Sequence, residues 1–428
     1  MTTLRIAGGR VLLPDMTVER ADVLVDQAAG EVLAVGGTDQ GDEHLDAEGS
    51  LVIPGLVNAH GHAAMTLLRG YADDKPLGAW LQEDIWPAEA ELTPEDVRAG
   101  TELGIVEMIK SGTTAFADMY FEVEEVAAAV DSAGMRARLG HGIVTVGKDE
   151  AAARADVEES LAIAREFDGE AEGRLSTAVM PHSLTTVSEE CLSMAVEGAR
   201  EVGVPIHIHI NETRDEVEPI VGERGIRPLE YADELGLLEE ENFLAHGVHT
   251  DERGIELLAK TGMGVVHCPA SNMKLASGMA PVQAMLDAGV SVGMGTDGAA
   301  SNNDLDLFGE LRDAAMIGKL AADDASAVPA EQVVEMATAG SAEAIGIDGG
   351  RIEAGANADL AVIDFDKPHL TPAHDPVSHL AYAVRGSDVR HTICDGEVLM
   401  RDREVLTLDE KEVRETAEKR AVELVGRA

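Results

Sequence analysis

The chain is poor in cationic side chains: 33 lysines and arginines stand against 80 aspartates and glutamates, for a formal net charge of −47. Nucleic-acid binding depends on basic patches that release counterions from phosphates. No such patch occurs, so a nucleic-acid partner is not expected. The acidity is spread over the whole sequence and not gathered in one tail. It reads as a surface adapted to concentrated salt, where the Debye length falls to roughly 3 Å and self-repulsion is screened. A salt-loving source is the expectation. Cysteine is scarce: Cys191, Cys268 and Cys394 are odd in number and widely spaced, which suits reduced thiols in a cytoplasm and not a disulfide framework. Cys268 reads as a small core residue, not a nucleophile. No apolar run approaches the ~20 residues needed to cross a bilayer, and the first residues lack a basic segment followed by an apolar stretch. A soluble, cytoplasmic protein with no membrane partner is expected. Repeats of solenoid period and low-complexity segments are also missing.

What is present is enough apolar material, 45% of 428 residues, for one large α/β barrel with a small accessory domain. From residue 51 to about 298, β-branched or apolar runs alternate with amphipathic helical segments in about eight units. The expected strands are 51–60, 113–119, 136–144, 175–183, 204–211, 242–249, 263–271 and 290–298. Thr93-Pro94-Glu95-Asp96 is a helix start, and Ser188 and Asp251 open helices in the same way. Residues 63–93 form a long excursion after the first barrel strand, expected to cover the barrel mouth. The flanks carry short alternating strands with turn glycines, Gly8-Gly9 and Gly36-Gly37 among them. The fold class is therefore α/β: a TIM-like (β/α)8 barrel over residues 56–348, with a small β-sandwich built from 1–55 and 349–405. Residues 406–428 contain a terminal helix.

The chemistry sits at strand ends. In Asn58-Ala59-His60-Gly61-His62, residues two apart share a strand face, so both imidazoles enter one cavity and can grip one ion. His207-Ile208-His209-Ile210-Asn211-Glu212 supplies another same-face pair. His209 lies nearer the carboxyl end, where barrel sites are built, and His207 is expected one layer deeper. An aspartate before glycine ordinarily marks a turn, but Asp297 ends the eighth strand and completes a set of three imidazoles and one carboxylate. Such a set leaves a position open for water, and a bound zinc would bring that water's pKa towards roughly 7. Asp297 can accept a proton from that water, Glu212 can shuttle one, and His246 at the sixth strand end can orient the attacking oxygen or stabilise the tetrahedral intermediate. The site accepts one metal per subunit, zinc, iron(II) or manganese(II). Residues 174–190 contain no lysine to bridge a second metal.

Pro54–His62, Met65–Gly70, Met180–Ser183, His209–Thr213, Ala245-His246 and Gly295–Asn303 together resemble the amidohydrolase superfamily, and within it the 5-methylthioadenosine/S-adenosylhomocysteine deaminases. The resemblance implies that His60, His62, His209 and Asp297 hold zinc, with Glu212, His246 and Asp297 catalytic. It implies a nucleoside substrate contacted by Glu89, His182, Glu212 and Trp80, and a homo-oligomer. Glu89 suits a vicinal diol, since a carboxylate offers two acceptors to two donors. Where the family pattern has an arginine, this chain has His141, and a second family arginine aligns only loosely with Arg154. Both stand as expected substrate contacts. Arginine is the usual bidentate partner of a carboxylate, so the replacement shifts the expectation towards an uncharged 5′-modified adenosine. The rival reading is another displacement on the same scaffold: deamination of guanine or cytosine, or attack on a triazine.

Dilution from molar into low salt is expected to unfold the protein as acidic repulsion is unmasked. Activity and circular dichroism followed across the dilution check this, and undiminished activity at low salt would contradict it.

Overall fold

A computed structural model describes residues 2–37 and 40–428. Eight parallel strand positions follow one another along the chain. They are β1 (Leu56–His62), β2 (Thr113–Tyr120), β3 (Arg136–Ile143), β4 in two pieces (Leu175–Thr177 and Met180–Pro181), β5 (His207–Ile210), β6 (Phe243–His246), β7 (Gly264–His267) and β8 in two pieces (Val292–Met294 and Asp297–Gly298). β1 pairs with β2, β2 with β3 and β3 with both pieces of β4. Single parallel bridges, Val179–Ile206 and Ser183–His209, carry the ring from β4 to β5. The pairing continues through β6 and β7 to β8, whose second piece returns to β1 by Asp297–Gly61 and Gly298–His62. This is a (β/α)8 barrel, and the carboxyl ends of its strands face one mouth.

Tightly packed small and branched residues fill the barrel: Val57, Ala59, Ala117, Phe243, Val266 and Cys268 form one buried cluster. The helices outside begin where capping chemistry dictates. Thr93 and Asp96 form a reciprocal capping box before helix Pro94–Lys110, and the Ser188 and Asp251 side chains accept from Cys191 N and Gly254 N.

The run expected as one strand from 51 to 60 is two strands. Gly55 N donates to Asp359 O, while Leu56 N donates to Gly112 O, so Ser50–Pro54 belongs to the sandwich and β1 to the barrel. A Cβ at Gly55 would lie 2.1 Å from Thr114 Oγ1, so only glycine fits this crossing. The sandwich has a four-stranded sheet around Thr3–Ala7 and a seven-stranded sheet in which Ser50–Pro54 pairs with Leu360–Asp364. Leu4, Ile6 and Val25 of one sheet pack with Val52, Val362 and Ile393 of the other. Both chain ends thus supply one small core.

The excursion after β1 does cover the mouth. It holds a 3-10 turn (Ala63–Leu68) and a helical stretch from Leu77 to Glu89 interrupted by a π turn at Leu81–Ile85. Helix Glu410–Arg427 pins the end of that excursion. Arg420 Nη1 lies 3.6 Å from Asp96 Oδ1, Arg427 also pairs with the fully buried Asp96, and Arg427 Nη2 donates to Glu91 O at 3.1 Å. Among the described residues, no helix is long and apolar enough to cross a membrane.

β8 approaches β1 most closely at Gly295, where an added Cβ would sit 2.9 Å from both Cβ and the carbonyl oxygen of His60. Gly295→Ala is expected to cost about 1–3 kcal/mol of stability through overpacking. Chemical denaturation checks this, with an unchanged midpoint as the contrary result.

Candidate active site

The strand ends that carry the polar residues are held in an uncommon backbone conformation. Asn211, His246 and Asp297 have φ of 62°, 75° and 62°, the left-handed region, at the ends of β5, β6 and β8. For residues other than glycine this costs about 1–2 kcal/mol each, and such outliers cluster where a site over-determines the backbone.

His60 is fully buried, and its Nδ1 meets His207 Nε2 at 2.7 Å. His207 thus lies one layer below the mouth, with Nδ1 3.4 Å from Phe243 O. His62 Nδ1 donates to Met119 O and His209 Nδ1 to His182 O, each at 2.7 Å. The carbonyl acceptor at His209 fixes that ring in the tautomer whose Nε2 offers a lone pair, and the one at His62 orients its Nε2 towards Asp297. His60 Nε2 is buried without a hydrogen-bond partner. Asp297 Oδ1 lies 3.4 Å from His60 Nε2 and 3.2 Å from His62 Nε2, while Asp297 Oδ2 accepts from Ser271 Oγ at 2.6 Å and Ser301 Oγ at 2.8 Å. Donor atoms of His60, His209, His246 and Asp297 all lie within 4.8 Å of one another. The four-residue set with mutually close donors thus contains His246, where the sequence reading has His62, and His62 adjoins it through Asp297. An orphaned imidazole nitrogen and convergent neutral nitrogens beside a carboxylate are the donor set of a first-row metal site.

The electrostatics agree. Burial pushes His60 down to about 4 and His209 well below the usual histidine range, so both stay neutral and keep a lone pair to offer. Burial also opposes charge on His62, yet its hydrogen bond to Asp297 lifts it to about 9. Burial alone would raise Asp297, but His60 and His62 hold it well below the carboxylate range. A carboxylate that draws a proton so strongly onto its neighbours draws a metal cation on the same ground.

Above these groups is a cavity of about 270 Å³ lined by His62, Trp80, Glu89, His182, Glu212, His246 and Asp297 among others. Burial raises Glu212, whose Oε1 accepts from Ser277 Oγ at 3.3 Å and whose Oε2 lies 3.8 Å from His246 Nε2. His246 Nδ1 donates to Asn272 Oδ1 at 2.9 Å, which aims Nε2 at the cavity. Burial pushes Glu89 up to about 7, and its Oε1 has no hydrogen-bond partner. Trp80 donates Nε1–H to Ala72 O, leaving its ring to the cavity wall.

Two expected substrate contacts stand elsewhere. Arg154 is on the outer helix Glu150–Phe167, where Glu190 and Glu150 hold its guanidinium. His141 is buried behind the wall, with Nε2 3.1 Å from Asp156 Oδ1, and neither residue lines the cavity. Conversely, Tyr120, Phe121, Trp86 and Glu216 line it unforeseen. Only Tyr120 carried a signal, at the carboxyl end of the second strand. Ser271, Ser301 and Asn272, which hold the acidic and imidazole groups in place, belong to helices with no periodic mark.

Residues 51–399 match the family model described as amidohydrolase family. The chain is 70% identical over 428 residues to a 5-methylthioadenosine/S-adenosylhomocysteine deaminase of Natronomonas pharaonis, covering 100% of this chain and 99% of that one. It is 46% identical over 410 residues to a 5′-deoxyadenosine deaminase of Methanosarcina mazei, covering 96% and 95%. Among solved structures, an adenosine deaminase from Xanthomonas campestris with bound zinc superposes with a TM-score of 0.93 at 36% identity, covering 99% of each chain. With its strand-end histidines, its closing aspartate and these matches along its length, the chain belongs to the amidohydrolase family.

Proposed function

We propose that this protein is a hydrolytic deaminase of 5′-modified adenosines, 5-methylthioadenosine among them, releasing ammonia and the inosine analogue. The observation that carries it is one cavity holding both a proton-transfer set, Glu212, His246 and Asp297, and a separate buried carboxyl, Glu89, suited to a ribose diol. Relatives named as deaminases of such nucleosides support the reading.

The metal is assigned to His60, His62, His209 and Asp297. The ground is that His62 Nε2 sits 3.2 Å from Asp297 Oδ1, whereas His246 Nε2 turns to Glu212. Zinc is the proposed ion, and when bound it supplies the Lewis acidity that brings water's pKa towards roughly 7. Asp297, held by two hydroxyls, takes the proton of the attacking water as its oxygen bonds to C6. Glu212, whose pKa burial raises, gives its proton to the neighbouring ring nitrogen. His246, fixed by Asn272, steadies the charge that develops at the new oxygen. The C6–N6 bond then breaks, the amine leaves as ammonia with a proton returned from Asp297, and the proton left on the new C6 oxygen passes back to Glu212 to give the keto product. His182 and Trp80 shape the nucleoside pocket. The proposal carries with it the cytoplasmic setting and the homo-oligomeric state implied by the resemblance.

Conversion of 5-methylthioadenosine, followed by the adenine-to-hypoxanthine absorbance change, tests the function. Activity is expected to vanish with a chelator and to return with zinc, and inertness towards every adenosine derivative would remove this substrate class. Glu89 supplies a second test. Its carboxyl is protonated below about 7 and ionised above, so KM for ribosides is expected to fall as pH rises through 7. Glu89→Gln is expected to raise KM by about tenfold, the worth of one hydrogen bond to a charged group, and to abolish that pH dependence. An unchanged KM would mean that Glu89 does not hold the ribose diol.

A further inference from the structure

We propose that Glu216 is a positioning residue for Glu212: its side chain clamps the Glu212 main chain and so fixes where the proton-transfer carboxyl stands. The inference rests on the reading that Glu212 moves the proton in the deamination, and it names a further residue on which that step depends.

The β5–β6 ladder ends with the pair Ile210–His246, and Asn211, at φ 62°, then turns the chain away. The next amide belongs to Glu212, a residue only 8% exposed and past the last ladder pair. A main-chain N–H in so buried a residue needs a partner, and this one donates to Glu216 Oε2 at 2.8 Å. The bond is not the ordinary helix start. Helix Arg214–Arg224 is capped by Thr213, whose side-chain oxygen accepts from Glu216 N at 3.3 Å. In a reciprocal capping box the third helical residue returns to the amide of the cap itself, as Asp96 does to Thr93 N. Glu216 passes over the Thr213 amide and takes the one before it.

At its other end Glu212 is held more loosely, with Ser277 Oγ 3.3 Å from Oε1 and His246 Nε2 3.8 Å from Oε2. The main-chain clamp is the tighter constraint on this residue. Glu216 lines the same cavity, and burial, joined by the nearby Glu212 charge, pushes its carboxyl up to about 8. Near neutral pH it therefore accepts the amide hydrogen without setting a second negative charge beside the proton donor. Glutamine offers an acceptor oxygen at the same reach. Aspartate remains a favourable first-turn acid but is one carbon too short to reach the Glu212 amide.

The test compares Glu216→Gln and Glu216→Asp with the wild type, zinc-loaded, on 5-methylthioadenosine in molar salt. Glu216→Gln is expected to keep kcat within about threefold, since the hydrogen bond survives. Glu216→Asp is expected to lower kcat on the order of 100-fold, the effect of a displaced reacting group. Its KM is expected to stay within about threefold, because Trp80 and Glu89, the proposed nucleoside contacts, stand on the mouth excursion. Hydrogen exchange at the Glu212 amide needs no turnover: it is expected to quicken at least about tenfold in Glu216→Asp and to stay slow in Glu216→Gln. Full activity in Glu216→Asp, an equal loss of kcat in both variants, or a loss confined to KM would overturn the clamp, whereas a mere helix cap would be kept by aspartate. A wild type inert towards every adenosine derivative would remove the deaminase reading instead, and the exchange rates would then decide on the clamp by themselves. Should Glu216→Asp fail to fold, a loss of kcat in Glu216→Gln or an unprotected Glu212 amide in the wild type overturns the proposal, and retention of both upholds it.

Discussion

Closing the barrel and building the site are one contact. Asp297 pairs with Gly61 as β8 returns to β1, and that register sets its carboxylate between the imidazoles on either side of Gly61. A carboxylate buried there would be costly if left to itself. Its oxygens are therefore shared out: Oδ2 accepts two hydroxyls and Oδ1 faces His60 and His62. The arrangement concentrates negative potential at the point where nitrogen lone pairs converge, which is the requirement for holding a hard or borderline cation. It also explains the close approach at Gly295, since a side chain there would hold the two strands apart.

Burial does the rest of the tuning. The same low-dielectric interior that lowers the pKa of His60, His182 and His209 raises that of Glu89 and Glu212. Opposite demands are met by one physical cause because the groups differ in the sign of their charged form. The carbonyl oxygen of His182 then chooses the tautomer of His209, and that of Met119 orients His62.

The parts visible in the sequence are those with a period. Alternation along 56–62 and 207–210 put paired histidines on one face, and eight such runs counted out the barrel. The same rule ran too far at Gly55, where one apolar run serves two sheets, because hydrophobicity does not record which neighbour a backbone amide finds. It also overestimated β5 and β7, whose ladders are four residues long. Residues recruited by tertiary approach left no such mark: Ser271 and Ser301 reach Asp297 from separate helices. Arg154, expected from the resemblance at the substrate, forms a surface ion pair with Glu190.

The clamp between Asp96 and the last helix has a further consequence. Arg427 reaches Glu91 across 336 positions of sequence, and Glu91 is two residues from Glu89. The cavity wall that carries Glu89 is therefore braced by a peripheral helix whose inward-facing buried residues are few, Val413, Ala417 and Leu424. Helices with so small an apolar footing fray before a barrel opens. The rim of the pocket is thus expected to open at a lower free energy than the strands that carry His60, His62 and His209.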